Sequence, residues 1–437
     1  MTAPTPAFSW RTAAVAIYGP SALFSIGEGS VLPMIPHVAE NLGATIAAAG
    51  FIAALETVGE LAGSIPSGWL LQRMSERTAM ILAAGATLLG SALAYFAPNP
   101  VVLGIGILLI GIAAVVFLLA RQAFMTVYVP LPYRARALST LGGAYRLGIS
   151  VGPFVIAGLI GLGAGPDAAF IVQAVAAVCI VVLLLVVKDP ERSFGAVDAL
   201  EAAEREELAR PEGMLATLRR NGRVLATVGT ASAILSALRA SRQVILPLWA
   251  VAIALPAEQS AVVIGAAALI DFALFYTGGW VMDRFGRMWV VMPVTIGLAL
   301  GHVALAITGA LPAPLVWFSV VAAVLALANG LGSGVLMTLS ADLAEPENPA
   351  PFLAIWRLLN TAGGAAAPLL ISAVTALVSL PVAAVAIGVL GAGGAWLYAV
   401  YLPRYDPRRR QLAGAGGADD ALETPPIDSP TAEGGPA

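Results

Sequence analysis

The sequence predicts an all-α membrane protein with twelve transmembrane helices in two pseudo-symmetric halves of six. Three observations carry this prediction: the composition, the length of the apolar stretches and the placement of basic residues. Of the 437 residues, 59% are hydrophobic and 11% are charged, and the mean hydropathy is +0.88. A soluble globular protein carries about 25% charged residues. Most of this chain is therefore not surrounded by water.

Each apolar stretch has about the length needed to cross a bilayer, which is roughly 20 residues. The predicted spans are 14–36, 45–69, 79–97, 101–128, 138–162, 168–187, 226–252, 260–281, 289–310, 314–337, 351–378 and 382–402. Their continuous apolar character excludes lipid-facing strands, which need a closed barrel and alternating polarity. The first stretch is too long for the core of a signal peptide, so we expect an uncleaved first helix.

Basic residues are confined to alternate connections between the spans. The connections at 37–44, 98–100, 163–167, 254–259, 311–313 and 379–381 contain no Lys or Arg. The other connections contain Arg73, Arg77, Arg134, Arg136, Arg284, Arg287 and the basic residues of 188–223. The positive-inside rule then places both termini in the cytoplasm. We expect a multi-pass protein of a bacterial cell (inner) membrane.

The chain divides into four parts. Residues 1–187 form an N-terminal six-helix half, and residues 224–404 form a C-terminal one. Between them, 188–223 is predicted to be a cytoplasmic linker with an amphipathic helix at 197–208. The tail, 405–437, is rich in Pro, Gly, Ala and acidic residues. It has no apolar face to bury, so we expect it to be disordered.

The two halves are copies of each other. When residue n is laid over residue n + 211, Gly68-Trp69 falls on Gly279-Trp280, Glu60 on Asp271, and Tyr145-Arg146 on Trp356-Arg357. Two parallel six-helix repeats, related by an axis along the membrane normal, are the architecture of one large class of transporters.

Two short sequence motifs are the basis of a resemblance to a known family. The phrase "GWVMDRFGR" supplies Gly279, Asp283, Arg284, Gly286 and Arg287, and its looser copy "GWLLQRMSE" keeps Arg73 but has Gln72 and Ser75. The phrase "GISVGP" supplies Gly148, Gly152 and Pro153 on helix five. From Arg11 to about Tyr405 the chain resembles the major facilitator superfamily, and within it the proton-linked drug-efflux branch.

The resemblance implies a gating role for the first motif. Asp283 is expected to meet the positive end of helix five and the basic pair Arg134 and Arg136 when the cytoplasmic side is closed, which favours the outward-open state. Gly286 permits the tight turn, and Arg284 and Arg287 hold the loop inside. The acids Asp342, Glu345 and Glu347 are possible partners of Arg73 and Arg77. The helix-five motif is associated with antiporters.

Charged residues within the spans are candidates for function, because each costs a few kcal/mol at the bilayer centre. They are Glu28, Glu56, Glu60, Arg121, Arg146, Arg239, Arg242, Asp271 and Arg357. Glu28, Glu56 and Glu60 are predicted to couple transport to protons, with Glu60 as the carrier, because burial and a neighbouring like charge favour a protonated carboxyl group. Arg239, Arg242 and Asp271 either line the substrate cavity or form ion pairs. Arg146 and Arg357 are either structural, in ion pairs, which is the favoured interpretation, or functional.

The leading hypothesis is a monomeric secondary transporter that exports a small amphipathic organic compound in exchange for protons, by alternating access. Uptake of an organic anion, clamped by Arg239 and Arg242, is the alternative. A non-transporting sensor or membrane-embedded enzyme is a remote third, because the sequence has no nucleotide-binding loop and only two histidines. We expect no cofactor, no metal and no nucleic-acid partner. The single cysteine, Cys179, allows no disulfide within one chain.

Overall fold

The computed structural model describes residues 18–129, 131–186, 214–275, 277–344 and 349–405. These residues form helices and turns, with no strand in the described ranges. Ten helices there are long and apolar enough to cross a membrane, or eleven when a bent pair counts as one span. The predicted amphipathic helix of the linker and the predicted disordered tail lie outside the described residues.

The first half contains helices α1 to α6, and several begin at a polar cap. They are α1 (Gly19–Val31, continued by Ile35–Asn41), α2 (Ile46–Leu71), α3 (Glu76–Tyr95), α4 (Pro100–Tyr128), α5 (Leu131–Gly161) and α6 (Ala168–Val186). The side chains of Thr45, Ser75 and Asn99 accept hydrogen bonds from the first turns of α2, α3 and α4. Such caps satisfy backbone N–H groups that a helix start leaves unpaired.

The second half repeats this arrangement. Its helices are α7 (Thr230–Ala252), α8 (Ala257–Ala273, continued by Thr277–Phe285), α9 (Met288–Thr308), α10 (Pro314–Leu331, continued by Val335–Leu343), α11 (Pro349–Leu377) and α12 (Leu380–Tyr401). Short helical segments, Met214–Arg220, Gly222–Val224 and Leu225–Gly229, lead into α7, and a short turn of helix, Leu402–Arg404, follows α12. The twelve predicted helices are confirmed, with α1, α8 and α10 each divided by a break.

Helix packing has the same pattern in both halves. In the first half, α1 packs on α5 and α6, α2 on α4, and α3 on α4 and α6. In the second half, α7 packs on α11 and α12, α8 on α10, and α9 on α10 and α12. Every pair in one half therefore has its counterpart in the other, as expected for a duplicated six-helix unit.

Glycines of the helix-five motif let α5 lie against the backbone of α1. A Cβ atom on Gly152 would come within 2.6 Å of the Ser30 backbone nitrogen, and one on Gly148 within 2.8 Å of the Ala22 carbonyl oxygen. The Ser30 hydroxyl also donates a hydrogen bond to the Gly152 carbonyl oxygen, at 2.9 Å. Small residues permit such close approach between helices in a membrane. The motif thus has a packing role in this structure.

The two halves meet through α2 with α11 and through α5 with α8. We call the membrane side with the α2–α3 and α8–α9 connections the motif side. Near the opposite side, the Ser372 hydroxyl of α11 donates to the Ala47 carbonyl oxygen of α2, at 2.8 Å. At mid-depth, the Ser150 hydroxyl of α5 donates to the Ala268 carbonyl oxygen of α8, at 2.9 Å. Polar contacts therefore join the halves at mid-depth and towards the side opposite the motifs.

We predict that Gly152→Ala destabilises the protein by about 1–3 kcal/mol, because the added methyl group overpacks the α1–α5 contact. Gly158→Ala is the matched control on the same helix, since a Cβ atom there meets nothing within 4 Å. Thermal unfolding of the purified proteins in one detergent should show a lower transition temperature for Gly152→Ala alone. Equal transition temperatures for the two variants would contradict the packing role.

Candidate transport cavity

A cavity of about 280 Å³ lies between the two halves. Helices α1 and α2 line it from the first half, and α7 and α11 line it from the second. The charged residues at its wall are Glu28, Glu56, Glu60 and Arg239. The structure therefore brings together all three acids of the predicted proton site and one of the two predicted cavity arginines.

The three acids reach this cavity from two adjacent helices. Glu56 and Glu60 lie one turn apart on α2, so both point to the same face. Glu28 of α1 and Glu56 are buried, with 7% and 5% of their surfaces exposed. Helix α4 packs directly against the backbone of α2 at Glu56, because the α4 residue at this contact is Gly111, which has no side chain. Close helix packing thus fixes the depth of the carboxyl groups.

Glu28 is held by a residue that the sequence reasoning missed. The Tyr145 hydroxyl of α5 donates a hydrogen bond to Glu28 Oε1, at 2.7 Å. The guanidinium carbon of Arg121 lies 4.7 Å from the centre of the Tyr145 ring. This chain of contacts brings an α4 arginine closer to the acids than its sequence position indicated. The only signal for Tyr145 was its place in the repeated phrase that also contains Trp356.

Asp271 belongs to a separate ion-pair network. Arg242 NH2 lies 3.1 Å from Asp271 Oδ2, and Asn329 Nδ2 donates to the same oxygen at 2.7 Å. Arg146 NH1, from the other half, lies 3.8 Å from Asp271 Oδ1. Asp271 is only 8% exposed. The ion-pair interpretation thus fits Asp271, Arg242 and Arg146, and Arg146 links the two halves. Arg357, for which the sequence favours the same role, is exposed and forms no ion pair within 4 Å among the described residues.

Arg239 and Arg242 therefore have different surroundings. Arg239 donates to the Gly332 carbonyl oxygen and lines the 280 Å³ cavity. Arg242 lines a different and smaller space, beside Pro153 and Gln243. The structure does not bring the two arginines together as a clamp. Of the predicted cavity set Arg239, Arg242 and Asp271, only Arg239 lines the cavity that contains the acids.

The second motif loop is tied to its own half. Gly286 has φ +99°, the left-handed conformation that glycine adopts without strain. Arg287 Nε donates to Asp342 Oδ2 at 2.7 Å, which fastens the loop to the end of α10. Arg287 is therefore the partner of Asp342 in this structure. The pairing of the acids with Arg73 or Arg77 stays a prediction, and Glu345 and Glu347 lie outside the described residues. Arg73 lies over the Trp69 ring, and Arg77 donates to the Leu185 carbonyl oxygen at 3.3 Å.

Asp283 is largely exposed in this structure. Its side chain is 84% exposed, and its Oδ1 lies 3.7 Å from Arg287 NH1. It is therefore not buried against the other half. Arg284 lies over the Trp280 ring, Arg136 is exposed, and the side chain of Arg134 lies outside the described residues. The expected contact of Asp283 with helix five stays a prediction for a different conformation.

The first motif loop, between α2 and α3, differs from the second in how its turn is formed. Ser75 stands where the second copy has a glycine, and its hydroxyl accepts a hydrogen bond from the Thr78 backbone nitrogen, at 3.3 Å. The serine thus caps α3, whereas Gly286 supplies a left-handed turn. Within the described ranges, no group of three or more His, Cys, Asp or Glu side chains is arranged as a metal site.

We predict that Asp271→Asn costs about 3–5 kcal/mol of folding stability, because it leaves the buried Arg242 without its counter-charge. Replacing Arg242 by Met in the same protein should restore part of this loss. Asp283→Asn is the control, since its exposed side chain predicts a change within about 0.5 kcal/mol. Yield and thermal unfolding in detergent measure these effects. Wild-type stability of Asp271→Asn would exclude a structural network.

The chain matches the family model described as Major Facilitator Superfamily over residues 21–291 and 234–429. No curated protein sequence matches it. Its fold is similar to that of a POT family transporter in complex with a thioalcohol-conjugated peptide, with a TM-score of 0.71, 12% identity, and coverage of 90% of this chain and 96% of the other.

Two further solved structures have the same fold. A D-xylose–proton symporter gives a TM-score of 0.68 at 16% identity, over 90% of this chain and 98% of that one. The nucleoside transporter NupG gives a TM-score of 0.70 at 11% identity, over 89% of this chain and 100% of that one. At these identities the likeness shows the fold alone. The family match covers most of the sequence, and so the chain belongs to the major facilitator superfamily of membrane transporters.

Proposed function

We propose that the protein is a secondary transporter that exports a small amphipathic organic compound in exchange for protons. The observation that carries this proposal is the cavity between the halves, where Glu28, Glu56 and Glu60 meet at one wall. Among the described residues, none of these carboxyl groups has an arginine or lysine within 4 Å. Acids that face a cavity within the membrane and are not neutralised by an ion pair are suited to binding and releasing protons.

The acids sit among few charged neighbours. Arg121 of α4 approaches Glu28 through the ring of Tyr145, and Arg239 of α7 lines the same cavity. Asp271 holds Arg242, with Arg146 at a longer distance, which keeps these two arginines engaged elsewhere. Burial and like charges both favour the protonated form of a carboxyl group. A polar or cationic group of the substrate then competes with the proton for the same carboxylates, which couples the two movements.

The position of the contacts between the halves supports alternating access. Polar contacts join the halves at mid-depth and near the side opposite the motifs. With the motif side in the cytoplasm, as the positive-inside rule predicts, this structure represents a state closed towards the exterior. Rocking of the halves around the cavity would then close the motif side and bring Asp283 towards the start of α5. We propose that the protein does this as a monomer in a bacterial inner membrane, with both termini in the cytoplasm.

Uptake of an organic anion has less support. The proposed clamp needs Arg239 and Arg242 together, whereas Arg242 binds Asp271 at 3.1 Å. An anion in the 280 Å³ cavity would meet three acids and one arginine. Apolar groups at the wall, from Leu32, Ala53 and Val244, can accommodate a short hydrocarbon part of a substrate. The cavity thus favours a compound that has both polar and apolar parts.

We predict that Glu60→Gln abolishes pH-driven accumulation of substrate but preserves downhill exchange, because it removes the proton carrier and leaves the transport path. The measurement uses proteoliposomes that contain a pH indicator, with a panel of organic cations, anions, zwitterions and neutral compounds. Glu40→Gln is the control, since Glu40 is exposed on α1 and does not line the cavity. Wild-type pH dependence in each of Glu60→Gln, Glu56→Gln and Glu28→Gln would rule out these three acids as the proton site.

A further inference from the structure

The two walls of the transport cavity carry opposite charges. The first half contributes Glu28, Glu56 and Glu60, and the second half contributes Arg239. In the described part of the chain, no ion pair within 4 Å joins Arg239 to any of these acids. The opposite charges therefore face one cavity without neutralising each other by direct contact.

Polar atoms on both walls lack a partner within the protein. Glu28 Oε2 is buried without a hydrogen bond, on a residue that is 7% exposed. Across the cavity, Arg239 Nε and the Asn360 side-chain oxygen are also buried without a partner. Buried polar groups are normally hydrogen-bonded, and each exception needs an explanation. Glu28 Oε2 needs a donor and Arg239 Nε needs an acceptor, so an occupant that offers a donor at the first wall and an acceptor at the second would satisfy these two atoms. The Asn360 oxygen is an acceptor and needs a further donor.

We propose, on the basis of the function proposed above, that the substrate is a small zwitterion. Its ammonium group binds among Glu28, Glu56 and Glu60, and its carboxylate binds Arg239. A simple amine leaves Arg239 Nε without an acceptor, and a simple carboxylate meets three acids. A zwitterion with a short alkyl chain satisfies both walls, and its chain lies along the apolar side chains of Leu32 and Val244.

The size of the cavity agrees with a compact substrate. At about 280 Å³ it lies just below the range of roughly 300–1,000 Å³ that is typical of sites for drug-sized ligands. The acids and Arg239 belong to helices of different halves, so a substrate whose charged groups are several bonds apart suits the two walls. An ω-amino acid has this form, with its charged groups at the two ends of a short chain.

The test compares three compounds of equal chain length: γ-aminobutyrate, butylamine and butyrate. Binding of each radiolabelled compound to the full-length protein in lipid nanodiscs is measured by equilibrium dialysis. We expect γ-aminobutyrate to bind at least about tenfold more tightly than either of the others, because it forms one additional charge-assisted interaction. Glycine and ε-aminocaproate vary the distance between the charges, and the best fit should have an intermediate length.

Substitutions then assign the two ends of the ligand. Arg239→Gln should weaken γ-aminobutyrate binding by at least about tenfold and leave butylamine binding at the wild-type level. Unchanged butylamine binding also shows that the variant is folded. Should Arg239→Gln fail to fold, since Arg239 also binds the Gly332 carbonyl oxygen, Arg239→Lys keeps the charge and should retain a preference for γ-aminobutyrate. Arg357→Gln is the matched control, because Arg357 is exposed and does not line the cavity.

Equal affinities for γ-aminobutyrate and butylamine, or no binding of any of these compounds, would overturn the zwitterion assignment. Proton movement in proteoliposomes is a separate readout. Proton flux driven by another compound of the panel, together with no preference for the zwitterion, would contradict the zwitterion proposal and support proton antiport. Tight zwitterion binding without proton movement would support the zwitterion proposal and contradict proton coupling.

Discussion

A charge within a membrane must either be paired or face a cavity, and most of the intramembrane charges of the protein fall into two groups on this basis. Asp271 pairs with Arg242 and, at a longer distance, with Arg146, and it accepts a hydrogen bond from Asn329. Because Asp271 engages two arginines, Glu28, Glu56, Glu60 and Arg239 remain as the charges of the transport cavity. The network thus supports the cavity indirectly, since it holds Arg242 and Arg146 away from the acids.

Close packing within each half and a few polar contacts between halves suit a rocking transporter. Gly152 and Gly148 bring α1 onto α5, and Gly363 at the position equivalent to Gly152 brings α11 onto α7 in the same way. Between the halves, α2 meets α11 and α5 meets α8, where Ser150, Ser372 and Arg146 make the polar contacts. Each half can therefore move as a unit, which is what the proposed alternating access requires.

Much of the fold could be predicted from the sequence, because span length, charge placement and the repeat offset are properties of the chain itself. The gathering of Glu28, Glu56 and Glu60 was also predictable, from depth and from the one-turn spacing on α2. The sequence could not predict whether Arg239 or Arg242 pairs with Asp271, because the two arginines lie nearly one turn apart and a long side chain can reach in several directions. Likewise, neither the Arg287–Asp342 pair nor the role of Tyr145 could be found, since they depend on packing between helices far apart in sequence.

The proposed function depends on proton exchange by the acids at the cavity wall. Infrared difference spectroscopy of the protein in lipid, recorded as the pH is varied, observes the carbonyl stretch of protonated carboxyl groups directly and needs no substrate. The account predicts a titrating band that is diminished in Glu60→Gln and is unchanged in Glu40→Gln, whose carboxyl group is exposed. A spectrum that is identical in the wild type and in the Gln variants of Glu28, Glu56 and Glu60 would contradict it.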